Sequence, residues 1–107
     1  MNSVEYEEFV AAVEAIKKTR KQKDANYHFN RLVKLYDKLK SENRLQELLE
    51  LFDNSDINVR FYAAVFSLHC NRECALEALR KLLAEAEPGT YIKQTTYMLL
   101  QAHEAPY

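Results

Sequence analysis

The reactive side chains of this sequence gather most tightly in the run HCNREC, which sets His69, Cys70 and Cys74 close together. Zinc takes four ligands, usually as two well-spaced pairs, so two cysteines with three residues between them across a helix break, and no second pair, match it poorly. His28 and His103 are remote in sequence and would have to converge on them. A cysteine nucleophile needs a depressed pKa and a base. Cys74, at the start of a helix with His69 five residues back, meets the first condition in part, and nothing else supports it. Two packing thiols and a surface histidine are the stronger reading. Gly89 is the single glycine, so no dinucleotide fingerprint, P-loop or nucleophile elbow can be written. Glu47, Glu50 and Asp53 share a face, but acid-base work would require one of them buried, and a polar helix side reads as solvated. The expectation is a chain without catalytic, cofactor-binding or metal-ligating residues, hence not an enzyme.

Two other sets of residues suit recognition. Five cations lie between Lys17 and Lys23, and Tyr27, Arg31, Lys34 and Lys38 recur at spacings of three and four. Cations neutralise phosphates and tyrosines stack on bases, so the basic stretch Lys17 to Lys38 carries a nucleic-acid reading. The acidic runs Glu5 to Glu14 and Glu42 to Asp56 oppose it, and the net charge is −1. Seven tyrosines exceed what one core needs, and tyrosine supplies rigid amphipathic area to protein interfaces. A tyrosine and basic face of Tyr27, Arg31, Lys34, Lys38, Tyr62, Tyr91 and Tyr97 therefore reads first as a protein-binding surface. The acidic stripe Glu47, Glu50, Asp53 and Asp56 is a second candidate, complementary to a basic partner such as a nuclease.

The elements that would carry these residues are helices. With one glycine, two prolines, 48% apolar and 29% charged residues, 107 residues suit a single all-α domain, ordered over about 3–104. No stretch is apolar enough to span a bilayer and the acidic N-terminus does not resemble a secretory signal, so a cytoplasmic protein is expected. Two cysteines make no disulfide framework.

Six amphipathic segments follow. Ser3 is the expected N-cap of the first, with Tyr6, Phe9, Val10, Val13 and Ile16 inward. Asp24 would cap the second, which buries Phe29, Leu32, Val33, Tyr36 and Leu39. A short third helix turns Leu45, Leu48, Leu49 and Phe52 inward. After the turn DNSD, Ser55 or Asp56 caps a fourth from Ile57 to about Cys70, apolar nearly all round and so expected at the centre. Asn71 begins the fifth. Pro88 and Gly89 break it, and Thr90 caps the sixth; the tail EAPY is expected to fray.

Taken in pairs, the helices repeat. Leu48, Leu51 and Phe52 match Leu79, Leu82 and Leu83 at an offset of 31 residues, and Val59-Arg60 matches Ile92-Lys93 at 33. Hairpins recurring at this spacing point to an α-solenoid. Arg60, beside an acidic turn, is expected to pair with Asp53 or Asp56 and fix the hairpin angle, with Lys93 repeating the role on Glu87.

The unit LLELFDNSDINVRFYAAVFSL resembles a HEAT-like repeat: leucines, acidic turn, Val-Arg, Ala-Ala, Leu. From NRLVKLYDKL through ALEALRKLLAEA to TTYMLL, nearly the whole chain resembles a family of small bacterial HEAT-like domains with members linked to toxin immunity. The resemblance implies a short right-handed superhelix of three antiparallel helix pairs. It further implies a non-catalytic immunity protein that binds and neutralises a cognate toxin, and it brings no catalytic residue.

Overall fold

A computed structural model describes residues 1–104; beyond Glu104, the expected fraying of the tail lies outside the described residues. The elements are α1 (Ser3–Lys18), α2 (Gln22–Ser41), a 3₁₀ helix (Leu45–Asp53), α3 (Ile57–Ser67), α4 (Arg72–Glu85) and α5 (Tyr91–Glu104). The described residues are thus all-helical, without a strand. No helix among them is long and apolar enough to cross a membrane.

The helix ends show where local chemistry decides. Asn2, not Ser3, caps α1: its side-chain oxygen accepts from the Glu5 amide at 2.8 Å, and Glu5 accepts in return from the Asn2 amide at 3.2 Å. This reciprocal capping box satisfies two amides that the helix itself leaves without partners. Asp24 lies within the first turn of α2 rather than at its cap, which is Lys21. Asn43, at φ 57°, takes the left-handed conformation asparagine tolerates and ends the run of α2. Asp56 caps α3, accepting from the Asn58 amide at 2.8 Å, and α3 stops at Ser67, earlier than Cys70. Asn71 precedes α4, but its side chain donates to the Leu45 carbonyl at 3.1 Å and so ties α4 to the 3₁₀ helix. Gly89, at φ 82°, reverses the chain, and the Thr90 hydroxyl accepts from the Lys93 amide at 3.3 Å to start α5.

The third segment departs from the expected α-helix, and its inward row changes with it. A 3₁₀ helix has three residues per turn, so Leu45, Leu48 and Leu51 fall in line. Leu48 and Leu51 are fully buried, whereas Leu49 and Phe52 are only partly so. In α2 the inward row is Leu32, Leu35 and Leu39, and Phe29, expected inside, remains 40% exposed.

Two apolar cores meet at α3. Val59 and Ala63, one helical turn apart, face Phe9, Ala12 and Val13 of α1, Leu32, Leu35 and Leu39 of α2, and Leu48 and Leu51. Phe61, Ala64 and Leu68, on the opposite side, face Ala75, Leu76, Leu79 and Leu82 of α4 and Leu100 of α5. Phe52 and Tyr62 border both clusters. Each fully buried leucine stabilises the fold by about 1.5–3 kcal/mol, and α3 takes part on both sides. Its nearly unbroken apolarity is the direct cause: a helix covered on two faces can leave little of its circumference polar. Successive elements pack against one another from the 3₁₀ helix through α5, as α1 does on α2, and α1 also reaches α3.

Candidate partner-binding faces

The aromatic side chains of α2, α3 and α5 form a continuous ridge. Tyr36 lies 5.6 Å from Phe66 between ring centres, Phe66 stacks on Phe29 at 5.7 Å, and Phe29 meets Tyr62 at 6.5 Å. Tyr62 then meets Phe61 edge-on at 5.4 Å, and Phe61 meets Tyr91 at 6.2 Å. Phe61 and Phe66 anchor the ridge in the two cores, while Tyr91, 70% exposed, and Phe29 face water. Burial, with Tyr91 nearby, raises the Tyr62 phenol above its ordinary pKa. Tyr27, 65% exposed on α2, touches the His28 ring rather than the ridge, and Tyr97 is exposed on α5. The ridge thus includes two of the four tyrosines named from sequence, Tyr62 and Tyr91. Phe29 was missed as a surface residue because its helical phase matched that of the inward residues.

The basic stripe is only partly open. Arg31 pairs with Glu8 at 2.8 Å and contacts the His28 ring at 3.0 Å. Lys38 is bound to Glu5 at 2.9 Å, and Lys17 to Asp56 at 3.1 Å and Glu14 at 3.3 Å. Arg20, Lys21, Lys23 and Lys34 make no ion pair with a described residue. Lys34 shares a shallow hollow on α2 with Tyr27, Asn30, Arg31 and Val33.

The acidic stripe is largely neutralised inside the molecule. Arg44 donates to Glu47 at 2.7 and 2.9 Å, to Glu5 at 2.6 and 3.2 Å, and to Glu42. The Met1 ammonium lies 2.6 Å from Glu47 and 2.5 Å from Glu50. With Asp56 committed to α3 and Lys17, Asp53 alone of the four carboxylates has no ion pair among the described residues. Glu5, 5% exposed, is the centre of this arrangement, although the sequence shows it only as one member of the acidic run Glu5 to Glu14. Hydrogen bonds from Arg44 and then Lys38 hold its carboxyl at a pKa of about 2. Hydrogen bonds from Arg44 and then the Met1 ammonium do the same for Glu47, also to about 2. The available signal was the spacing Asn2-x-x-Glu5, the pattern of a capping box.

Arg60 does not pair with Asp53 or Asp56. Its guanidinium reaches Glu85, 2.6 Å away in the last turn of α4. Lys93 likewise bypasses Glu87 and donates to the Leu83 carbonyl, also near the end of α4. Both cations therefore converge on one helix C-terminus, where unpaired carbonyls and the helix dipole favour positive charge. Proximity in sequence suggested the wrong acceptors, because the last turn of α4 reaches Arg60 only through tertiary packing.

The reactive side chains do not assemble. Among the described residues, no three His, Cys, Asp or Glu side chains group so as to hold a metal ion. Cys70 is partly buried, its thiol 3.8 Å from the Phe66 and Ser67 carbonyls, and burial raises its pKa, which disfavours a thiolate. Cys74 and His69 are exposed. Cys74 borders a groove of about 240 Å³ between the 3₁₀ helix and α4, floored by Leu49, Phe52, Ala78 and Leu82. His28 contacts Arg31, and His103 contacts Arg72.

These faces belong to a small all-helical protein. No family model matches the chain, and no curated protein or solved structure gives a match.

Proposed function

We propose that this chain is a non-catalytic protein-binding module, a short HEAT-like solenoid of three helix pairs whose second helices, α2, α3 and α5, present the aromatic ridge to a partner. The observation that carries the reading is the ridge itself, anchored in both cores yet open at Phe29 and Tyr91. Aromatic rings that are rigidly held before binding lose little entropy on contact and are the usual energetic anchors of interfaces. The packing of each element on its neighbour supports the stacked arrangement. The resemblance to bacterial HEAT-like domains adds the biological setting: a cytoplasmic immunity protein that covers the active site of a cognate toxin.

The test is reconstitution with the proteins encoded beside its gene, read by calorimetry. One such protein should bind the wild-type chain and bind Phe29→Ser with Tyr91→Ala at least about tenfold more weakly, with the helical content of the variant unchanged. Equal binding by wild type and variant would remove the ridge from the interface. Tight binding to mixed-sequence duplex DNA with a steep salt slope would instead assign the protein to the open cations Arg20, Lys21, Lys23 and Lys34.

A further inference from the structure

Past the last turn of α4 the chain encloses a hollow of about 500 Å³, walled by Ile57 and Asn58 of α3, by Glu85 and Glu87, and by Tyr91 and Ile92 of α5. Tyr91 belongs to both this hollow and the aromatic ridge, so the hollow lies at the ridge's foot. Its charge sets it apart from the two hollows described above. Arg60 and Lys81 line the groove beside the 3₁₀ helix, and Arg31 and Lys34 line the hollow on α2, whereas no lysine, arginine or histidine lines this one. Glu85 gives one oxygen to Arg60 at 2.6 Å, and Glu87 makes no ion pair with a described residue. The hydrogen-bonding capacity left on the walls is mostly that of acceptors. The Asn58 side-chain amide donates to Asp56 at 3.1 Å, and the Thr90 hydroxyl donates to the Glu87 carbonyl at 2.7 Å. The second Glu85 oxygen, the Glu87 carboxylate and the Asn58 side-chain oxygen accept nothing from a described residue. Although α3 and α5 both begin here, Asp56 and Thr90 already cap them, and an anion would face two carboxylates. A metal ion would lack a third ligand.

We infer that the hollow receives an arginine side chain of the protein that docks on the ridge, an inference that rests on the ridge being the binding face. The occupant follows from the walls. A guanidinium carries five N–H donors and no acceptor, so walls whose spare groups accept leave it fully matched. Carboxylates supply the opposite charge, and hydrogen bonds to ionised groups are the stronger kind. The methylene stem of arginine lies along Ile57 and Ile92, and its flat head on the Tyr91 ring, which is 70% exposed. Phe61 holds that ring edge-on at 6.2 Å, so it is oriented before the partner arrives. A lysine ammonium would meet the charge, but it is a compact point charge without a planar face to lay on the tyrosine.

The contact can be isolated with N-acetyl-arginine amide, titrated into the full chain to about 50 mM at constant ionic strength and followed through backbone amide NMR shifts. The amides of Glu85, Glu87 and Tyr91 should shift saturably, with a dissociation constant of about 5 mM. N-acetyl-citrulline amide, the uncharged isostere, should bind at least about fivefold more weakly, and N-acetyl-lysine amide should also bind more weakly. Glu87→Gln, a change at an exposed position, should weaken the arginine amide by about three- to fivefold. Shifts that do not saturate overturn the proposal. So does a citrulline or lysine amide that binds as tightly, or a Glu87→Gln chain of unchanged affinity. Phe29 lies outside the hollow, so Phe29→Ser should leave the arginine amide's affinity unchanged while weakening the protein partner. The ridge and the hollow can therefore fail separately.

Discussion

Glu5 and Thr96 are both closed off from water, one in each half of the molecule, and their surroundings are opposite. Glu5 is the more demanding group, a carboxylate, and it receives hydrogen bonds from Arg44, Lys38 and the Asn2 amide. Thr96 carries only a hydroxyl, and that hydroxyl has no hydrogen-bond partner, as is also true of Ser67 at the end of α3. The N-terminal half therefore holds its helices with an apolar core and a satisfied ionic knot linking α1, α2 and the 3₁₀ helix. The C-terminal half is held by its apolar core and by ties nearer the surface, such as Arg60 to Glu85 and Lys93 to the Leu83 carbonyl, and carries the cost of desolvated hydroxyls. Polarity in an interior stabilises or destabilises according to how completely it is partnered, not according to how strong it is.

Four measurements can break or sharpen this contrast. The largest effect is expected from the cores. Leu51→Ala in the first and Leu79→Ala in the second should each lower stability by about 3 kcal/mol in urea unfolding. Both variants should show one transition, because α3 belongs to both cores; two separated transitions would mean that the halves unfold independently. Next comes Glu5→Gln. The folded pKa of Glu5 is depressed to about 2 from an ordinary 4.5, so its contribution is fully present above about 4.5 and is lost as pH falls towards 2. Thermal melts at pH 7 should place the variant below wild type, and that gap should close by about pH 2. A gap of constant size would place the effect in packing rather than charge.

Thr96→Val should move stability the other way. Replacing an unpartnered buried hydroxyl by a methyl is expected to raise it by about 1 kcal/mol, read from the urea midpoint. A loss would show that the hydroxyl is satisfied in solution. The smallest effect is that of Glu85→Gln, which weakens the half-exposed pair with Arg60; a change of about 0 to 1 kcal/mol is expected. A larger loss would make this contact part of the second core's cohesion.

What could be read in advance follows the range of the interaction. The six segments and the central place of α3 were legible because they depend on local composition and on a helix apolar around most of its circumference. Asp56 as a cap was legible for the same reason, its acceptor and amide being two residues apart. Leu51 was not, since a period of 3.6 was assumed where the chain winds with three residues per turn. Glu85 as the partner of Arg60 lies 25 residues away, and Arg44 lies 39 from Glu5. No rule of spacing selects such partners from the many charges available; only the packed helices do. The acidic stripe likewise depended on knowing which carboxylates were already engaged. The tyrosines were easier to place on the surface than their neighbour Phe29, whose apolar ring gave no sign of partial exposure.

The 3₁₀ helix has a mechanical corollary. Tighter winding gives it a rise of about 2 Å per residue, against about 1.5 Å in an α-helix. Its nine residues, Leu45–Asp53, are therefore stretched by roughly 4 Å relative to an α-helical coil of equal residue number. Rewinding it would haul the end of α2 towards the start of α3 and swing Leu51 out of register, so the strut's length and the alignment of its leucines cannot be altered separately.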